Sequence, residues 1–354
     1  MEKQKQLIDE MEKDNAFLSK YLHYKRIDKW KAWLDFCRRI GRKPIPTFRW
    51  QVVFRYAAAI LLLPACMLAV YFILLKAPDD TRQTLAEIRQ GTSQAVLILS
   101  NGEEVALNAE TAEKVAVSES GTATVNNDRI SYHNNESVAT EQYNTIVTQR
   151  GGEYRIELDD GTQVHLNAAS QLKYPVAFTG VERTVYLQGE AYFEIAPDST
   201  RPFYVVTDEI KVRQYGTRFN VYAYQNEPAT EVILVKGSIG IIIAGEERLL
   251  MPGQLAEWNT ESHRLEVKNV DVEAYVAWND GRFHFDNKSL KEIMDVLSRW
   301  YNIDIEFIAD DVQSLHFTGS FDRYDTIEPI IQAICHSSNM KAEIKNHKLY
   351  IFKL

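Results

Sequence analysis

The chain has 354 residues, 45% of them apolar and 25% charged, with a net charge of −9. That composition excludes a disordered or collagen-like chain, and the length exceeds what one core usually holds. The total hides an asymmetry: residues 1–55 carry 14 Lys+Arg against 7 Asp+Glu, and the remainder carries 26 against 42. A basic head on an acidic body suits a chain whose two ends face different compartments.

The head, residues 1–50, holds two short amphipathic stretches. Leu7, Met11, Phe17, Leu18, Tyr21 and Leu22 form one apolar stripe, and Ile27, Trp30, Trp33, Leu34 and Cys37 form another. Helices this short are not robust alone, so their apolar faces need a partner, each other or a membrane surface. Residues 54–76 follow as a predicted transmembrane helix. Tyr56 to Leu75 carries no charge and, at about 1.5 Å per residue, reaches roughly 30 Å, the thickness of the hydrocarbon layer. Pro64 is tolerated there as a kink, and Trp50, Tyr56 and Tyr71 suit the interfaces. Arg38, Arg39, Arg42, Lys43, Arg49 and Arg55 crowd the N-terminal side, whereas Asp79 and Asp80 lie just beyond the span. The positive-inside bias therefore places the N-terminus in the cytoplasm and the C-terminus outside. Cys37, Cys66 and Cys335 fall before, inside and after the span, so no intrachain disulfide is expected.

Residues 77–94 read as a linker, and residues 95–270 as an all-β domain of short alternating runs separated by Gly, Asn and Asp. Ala95–Leu99 and Glu104–Leu107 flank Asn101-Gly102, which predicts a hairpin with positive φ at both central positions. Tyr154–Leu158 and Gln163–Leu166 repeat it around Asp160-Gly161, 59 residues later, which implies a duplicated β architecture. Further strands are expected at 184–187, 192–195, 203–207, 211–214, 219–223, 231–235, 239–243 and 265–267, with breaks at Gly189, Gly237 and Pro252-Gly253. Residues 278–354 change character. Capping boxes at Ser289–Glu292 and Asp325–Glu328 each open an apolar-faced helix, and the order β-α-β-β-α-β-β predicts one small sheet covered by two helices. The fold class is thus mainly β, with one transmembrane helix, a duplicated β domain, a small α+β module and a short helical head.

No Walker loop, Gly-x-Gly-x-x-Gly, His-Glu-x-x-His or Gly-x-Ser-x-Gly is present, so neither an enzyme active site nor a cofactor is expected. The cysteines and histidines lack metal-ligand spacing. His165, near Asp159 and Asp160, reads as a surface hairpin position. The acidic outer body lacks basic patches, so direct nucleic-acid binding is not expected.

Several motifs carry a family resemblance. They are Leu158-Asp-Asp-Gly-Thr-Gln-Val-His-Leu-Asn-Ala-Ala-Ser-Gln-Leu-Lys-Tyr-Pro175, Gln188-Gly-Glu-Ala-Tyr-Phe-Glu-Ile195, Arg201-Pro-Phe203, Tyr215-Gly-Thr-Arg-Phe-Asn-Val-Tyr-Ala-Tyr224 and Met251-Pro-Gly-Gln254. Trp278-x-x-Gly281-x-Phe-x-Phe285, Arg299-Trp-Tyr301 and Phe317-Thr-Gly-Ser320 continue the series. In this order, over residues 80–354, they resemble the FecR-type anti-sigma factors of the Bacteroides group with their C-terminal module. The head departs from that family in being shorter, and His165 stands where Trp is common. The resemblance implies an inner-membrane signal transducer linking a TonB-dependent outer-membrane transporter in the periplasm to an extracytoplasmic-function sigma factor in the cytoplasm. It makes Leu18, Leu22, Trp30, Trp33 and Leu34 the sigma-binding candidates. Phe283, Phe285, Trp300, Tyr301 and Phe317 become the candidates for binding the transporter's signalling domain. It also marks Gly216-Thr217 as a candidate for single-turnover self-cleavage, the Thr hydroxyl attacking the preceding carbonyl. The alternative is a membrane-anchored periplasmic β scaffold or glycan-binding protein without a transcriptional role.

Overall fold

The computed structural model describes residues 28–41, 85–108, 114–116, 122–126, 129–132 and 142–354. The chain divides into two compact units, residues 1–78 and 79–354. In the first, helix α1 (Lys29–Arg39) begins where Asp28 Oδ1 accepts from the amides of Trp30 (3.0 Å) and Lys31 (3.4 Å). It ends on Arg38 and Arg39, whose charge suits the carbonyl end. Trp30 and Trp33 are exposed, Leu34 is half-buried and Cys37 is buried. Leu18, Leu22 and the predicted span 54–76 lie outside the described residues. No helix among the described residues is long and apolar enough to cross a membrane.

The second unit begins with a β domain whose strands form two ladders around one core. The first runs 104–108, 92–98, 143–148, 170–175, 183–188, 203–206, 211–214, 239–243 and 246–250. The second runs 114–116, 122–126, 129–132, 152–157, 163–166, 189–194, 218–223, 229–236, 254–259 and 264–269. Alternation supplies the core. Leu97, Ile146, Leu172, Phe203 and Val212 of the first ladder meet Tyr154, Val164, Phe193, Phe219 and Val232 of the second.

One strand, Arg183–Glu194, belongs to both ladders. Gly189 was expected to end a strand there; instead the chain continues through it. Its φ is +92°, and a Cβ would lie 2.4 Å from Ser170 Oγ, so only glycine lets the strand change partners at this point.

The two expected hairpins are present and built alike. Gly102 N donates to Leu99 O and Gly161 N to Leu158 O, both at 2.9 Å; Leu99 N then meets Glu103 O and Leu158 N meets Thr162 O. Asn101 Oδ1 accepts from Glu103 N and Asp160 Oδ1 from Thr162 N. The turn type differs from expectation. Only the glycines have positive φ (+85° and +82°), so each is a type I turn closed by a glycine bulge, with the Asx side chain bridging over the glycine.

The expected linker 77–94 is shorter than the sequence suggests. Leu85–Glu87 forms a 3₁₀ turn, Ile88 is buried and a strand starts at Thr92. Beyond the β domain come helix α2 (Glu273–Val276) and a 3₁₀ turn (Ala277–Asp280), then the C-terminal module. Its order is strand Arg282–Ser289, α3 (Leu290–Trp300), strands Asp304–Phe307 and His316–Asp322, α4 (Glu328–Ser338), and the hairpin Met340–Lys345/Lys348–Lys353. The predicted order of elements is therefore present, but the single sheet is not. Arg282–Ser289 pairs with His316–Asp322, while Asp304–Phe307 pairs parallel with Lys348–Lys353 in a separate three-stranded sheet. The capping box at Ser289–Glu292 forms in full. The one at Asp325 does not: α4 starts from Ile327 with no side-chain cap, its first turn led by Pro329.

Candidate functional site

The module docks on the outer face of the second ladder. Along that face one register row runs Glu190, Tyr222, Glu231, Glu257 and Glu266. Adjacent like charges are unfavourable on a sheet, so an acidic row calls for cations from elsewhere. Arg299 and Arg323 of the module act on Glu190, Lys288 of the module acts on Glu231, and Lys268 of the neighbouring strand pairs with Glu257 at 2.7 Å. Arg299 donates to Glu227 (2.8 Å) and to the Tyr222 hydroxyl (2.8 Å), with its guanidinium 4.3 Å over Tyr224.

Arg323, only 1% exposed, sits at the centre. Its guanidinium bonds Asn167 Oδ1, lies 3.3 Å from Glu153 Oε2 and stacks 3.7 Å over the Trp300 ring. The Trp300 indole donates to the Arg323 carbonyl at 2.7 Å. Glu153 also accepts from Tyr324 (2.8 Å) and lies 3.6 Å from His165 Nε2. Burial pushes its carboxyl up, but the contacts with His165, Arg323 and Tyr324 outweigh this and hold it below the usual range. Glu190, which accepts from Asn167 (2.6 Å) and Asn220 (2.9 Å), goes the other way because burial dominates. Burial likewise pulls the Arg323 guanidinium down, against the opposing pull of Glu153 and Glu190. Beside this network opens a cleft of about 560 Å³, lined by Glu231, Glu257, Lys268, Tyr275, Trp278 and Lys288 among others. Glu231 is pushed up to about 6 by burial there.

The predicted site residues divide. Phe283, Phe285, Trp300 and Tyr301 are at most 7% exposed and form the module's own core, so they are not the contact surface expected of them; their size made them core. Phe317 is half-buried against that core. His165 is also not a surface residue. It is buried under the 3₁₀ turn, its ring tilted 43° to that of Trp278 at 4.8 Å and its Nδ1 2.9 Å from Asn279 Oδ1, while Asp160 binds Arg183 instead. Gly216 has φ +91°, and the buried Thr217 hydroxyl has no hydrogen-bond partner; a Cβ on Gly237 would lie 2.3 Å from the Gly216 carbonyl oxygen. Sequence reasoning missed Glu153, Arg323 and the pairing of Arg299 with Glu227. Glu190 and Arg299 stood inside recognised motifs, and the readable signal was a charge set in an apolar run. Among the described residues no group of His, Cys, Asp and Glu is arranged to hold a metal ion.

What the module leaves open are backbone edges. His316–Asp322 pairs on one side only, and Asp304–Phe307 is the outer strand of its sheet. Exposed Leu315 and Ile308 flank them.

The second unit is thus a two-ladder β domain with a small α+β module seated on its outer face by buried arginines. Residues 144–240 match the family model described as FecR protein, and residues 282–351 match FecR, C-terminal. The chain thus carries a FecR region followed by a FecR C-terminal region. It is similar to a protein of Parabacteroides distasonis ATCC 8503, named "putative anti-sigma factor", in crystal structures at 1.65 Å and 2.50 Å. Both share 28% identity at a TM-score of 0.56; they cover 59% and 60% of this chain and 99% of their own. No curated protein matches the chain.

Proposed function

We propose that this chain is a FecR-family, single-pass inner-membrane anti-sigma factor that transduces a periplasmic signal. Residues 1–50 hold an extracytoplasmic-function sigma factor in the cytoplasm, residues 54–76 cross the membrane, and residues 85–354 stand in the periplasm. The observation that carries this reading is the likeness, at 28% identity and over nearly all of its length, to the protein named as an anti-sigma factor. The exposed Trp30 and Trp33 on α1, with Phe36 stacked 5.8 Å from Trp33, offer the apolar face a sigma factor would cover. In the periplasm the partner is the signalling domain of a TonB-dependent transporter. It adds a strand to the open edge at Asp304–Phe307 or His316–Asp322, with Ile308 and Leu315 as flanking apolar contacts. Mass spectrometry of proteins retained on residues 1–50 tests the first half. Recovery of a sigma factor, lost when Trp30, Trp33 and Leu34 become Ala, is expected; retention unchanged by those substitutions overturns it.

A chemical step accompanies this reading at Gly216-Thr217. The Thr217 hydroxyl attacks the Gly216 carbonyl carbon, a C–O bond replaces the C–N bond, the freed amine takes the proton, and water hydrolyses the ester. The left-handed Gly216 and the unpartnered Thr217 hydroxyl support it. Fragments 1–216 and 217–354 are expected on a denaturing gel and absent from Thr217→Val. One intact band from the unmodified chain removes the step and leaves the anti-sigma reading untouched.

A further inference from the structure

The chain enters the outer body through the module's core before it builds any of the β domain. Ile88 is 8% exposed and packs in the same core as Trp300, Tyr301 and Ile303, with Leu85 against it. Gly91 lies flat on the Trp300 ring, since a Cβ there would come within 2.6 Å of Cε3. Thr92 N then bonds Gly151 O (2.9 Å), and Gly151 N bonds Arg299 O (2.7 Å) at the end of α3. Arg150 closes the same corner by donating to Ser298 O (3.0 Å) and Ile303 O (2.6 Å). Trp300 is therefore held from two sides: Gly91 contacts its ring, and the Arg323 guanidinium stacks on it at 3.7 Å while reaching Glu153 and Asn167 of the β domain. A cavity of about 310 Å³ beside residues 87–90, lined also by Tyr301, Asn302 and His347, gives this segment room to shift.

We propose that residues 85–91 are a coupling strap: their seating against Trp300 and the module's seating through Arg323 are two ends of one packed element. A change at the module's surface that moves the end of α3 then changes the position of the chain preceding residue 85. Tightly packed aromatic contacts switch between discrete arrangements rather than deforming smoothly, which is what such a relay needs. The coupling itself stands on packing alone; that it carries a signal rests on the anti-sigma reading.

Hydrogen exchange of the full chain in detergent tests the coupling. Ile88→Asp, with Ile88→Val as the conservative control, should speed exchange at 85–91 by about tenfold or more, and carry a similar change into 298–303 and 322–325. Strands at 203–214 should stay as they were, and Ile88→Val should restore the original pattern. Gly91→Ala leaves Ile88 in place and presses on Trp300, so the same regions should respond. A change confined to 85–91 in both variants overturns the coupling, as does an equal change at 203–214. In cells, deleting the chain should alter output from the promoter served by the sigma factor recovered on residues 1–50. At equal chain level, the strap variants should shift that output by about threefold or more. If deletion alters output and the variants do not, the strap carries no signal and the anti-sigma reading stands. If deletion has no effect, that reading fails, and the exchange pattern still decides the coupling.

Discussion

Glutamates on one sheet face illustrate how burial decides the sign of a residue's contribution. Glu153 and Glu190 both lie beneath the module, yet their carboxyls shift in opposite directions. Glu153 has Arg323, His165 and Tyr324 within reach, whereas Glu190 is met by two amides. For Glu153 the lowered folded pKa gives stability that is present above the ordinary carboxylate value and lost as pH falls through the folded one. Glu231 behaves inversely. Its value rises from 4.5 to about 6, with the Glu257 charge opposite it in the register adding to the burial effect. Its contribution is intact below pH 4.5 and is lost as pH rises through about 6. Glu231→Gln should therefore be neutral at pH 4 and stabilise by about 1–2 kcal/mol at pH 7.5, which urea unfolding at the two pH values would read. Equal stability of the two proteins at pH 7.5 would show that Glu231 is solvated.

At the scale of elements, α3 and α4 look alike in sequence but start differently. Ser289 Oγ accepts from Glu292 N while Ser289 N donates to Glu292 Oε2 at 2.8 Å, so Ser289→Ala should cost about 1 kcal/mol in urea unfolding. Asp325 caps nothing, and Asp325→Ala should stay within about 0.5 kcal/mol. Gly189→Ala should cost about 2 kcal/mol or more, because a methyl group would meet Ser170 and the backbone would remain in a left-handed region. These contrasts show which elements the sequence discloses. Strand alternation, the paired hairpins and the module's order of elements are local patterns, and they appear where expected. Tyr143–Thr148 has the same alternation, and its turn-rich surroundings hid it; Ser170–Pro175 was masked by its even mix of polar residues. The strand change at Gly189 and the split of the module into two sheets depend on partners far away in the chain. The same holds for the site. Phe283, Trp300 and Tyr301 were visible as unusual residues, but nothing local could say that Arg323 would cover one of them, turning an expected contact surface into core.

Across residues 85–354 two apolar cores are joined by polar pins rather than by a continuous apolar seam. The core of the β domain and that of the module share no residue, although Ala168 and Ile88 are contributed to the second from outside the module. A small module held in this way would unfold separately if its contacts were exposed ion pairs, which contribute little. The contacts here are of another kind. Arg299 and Glu227 are each 16% exposed, and Arg323 is almost fully enclosed by Trp300, Glu153 and Asn167. Removing one partner of such a buried group strands the other in a poorly solvating interior, so the cost is about 3–5 kcal/mol. Calorimetry of the full chain in detergent should therefore show the two cores melting in one transition. Arg323→Ala should split it, with the module melting first and the β domain near its original temperature, because Glu153 keeps His165 of the β domain as a partner. Two separated transitions in the unsubstituted chain would mean that the arginines do not bind the cores into one cooperative body, and that a pull on the module would stop at the module.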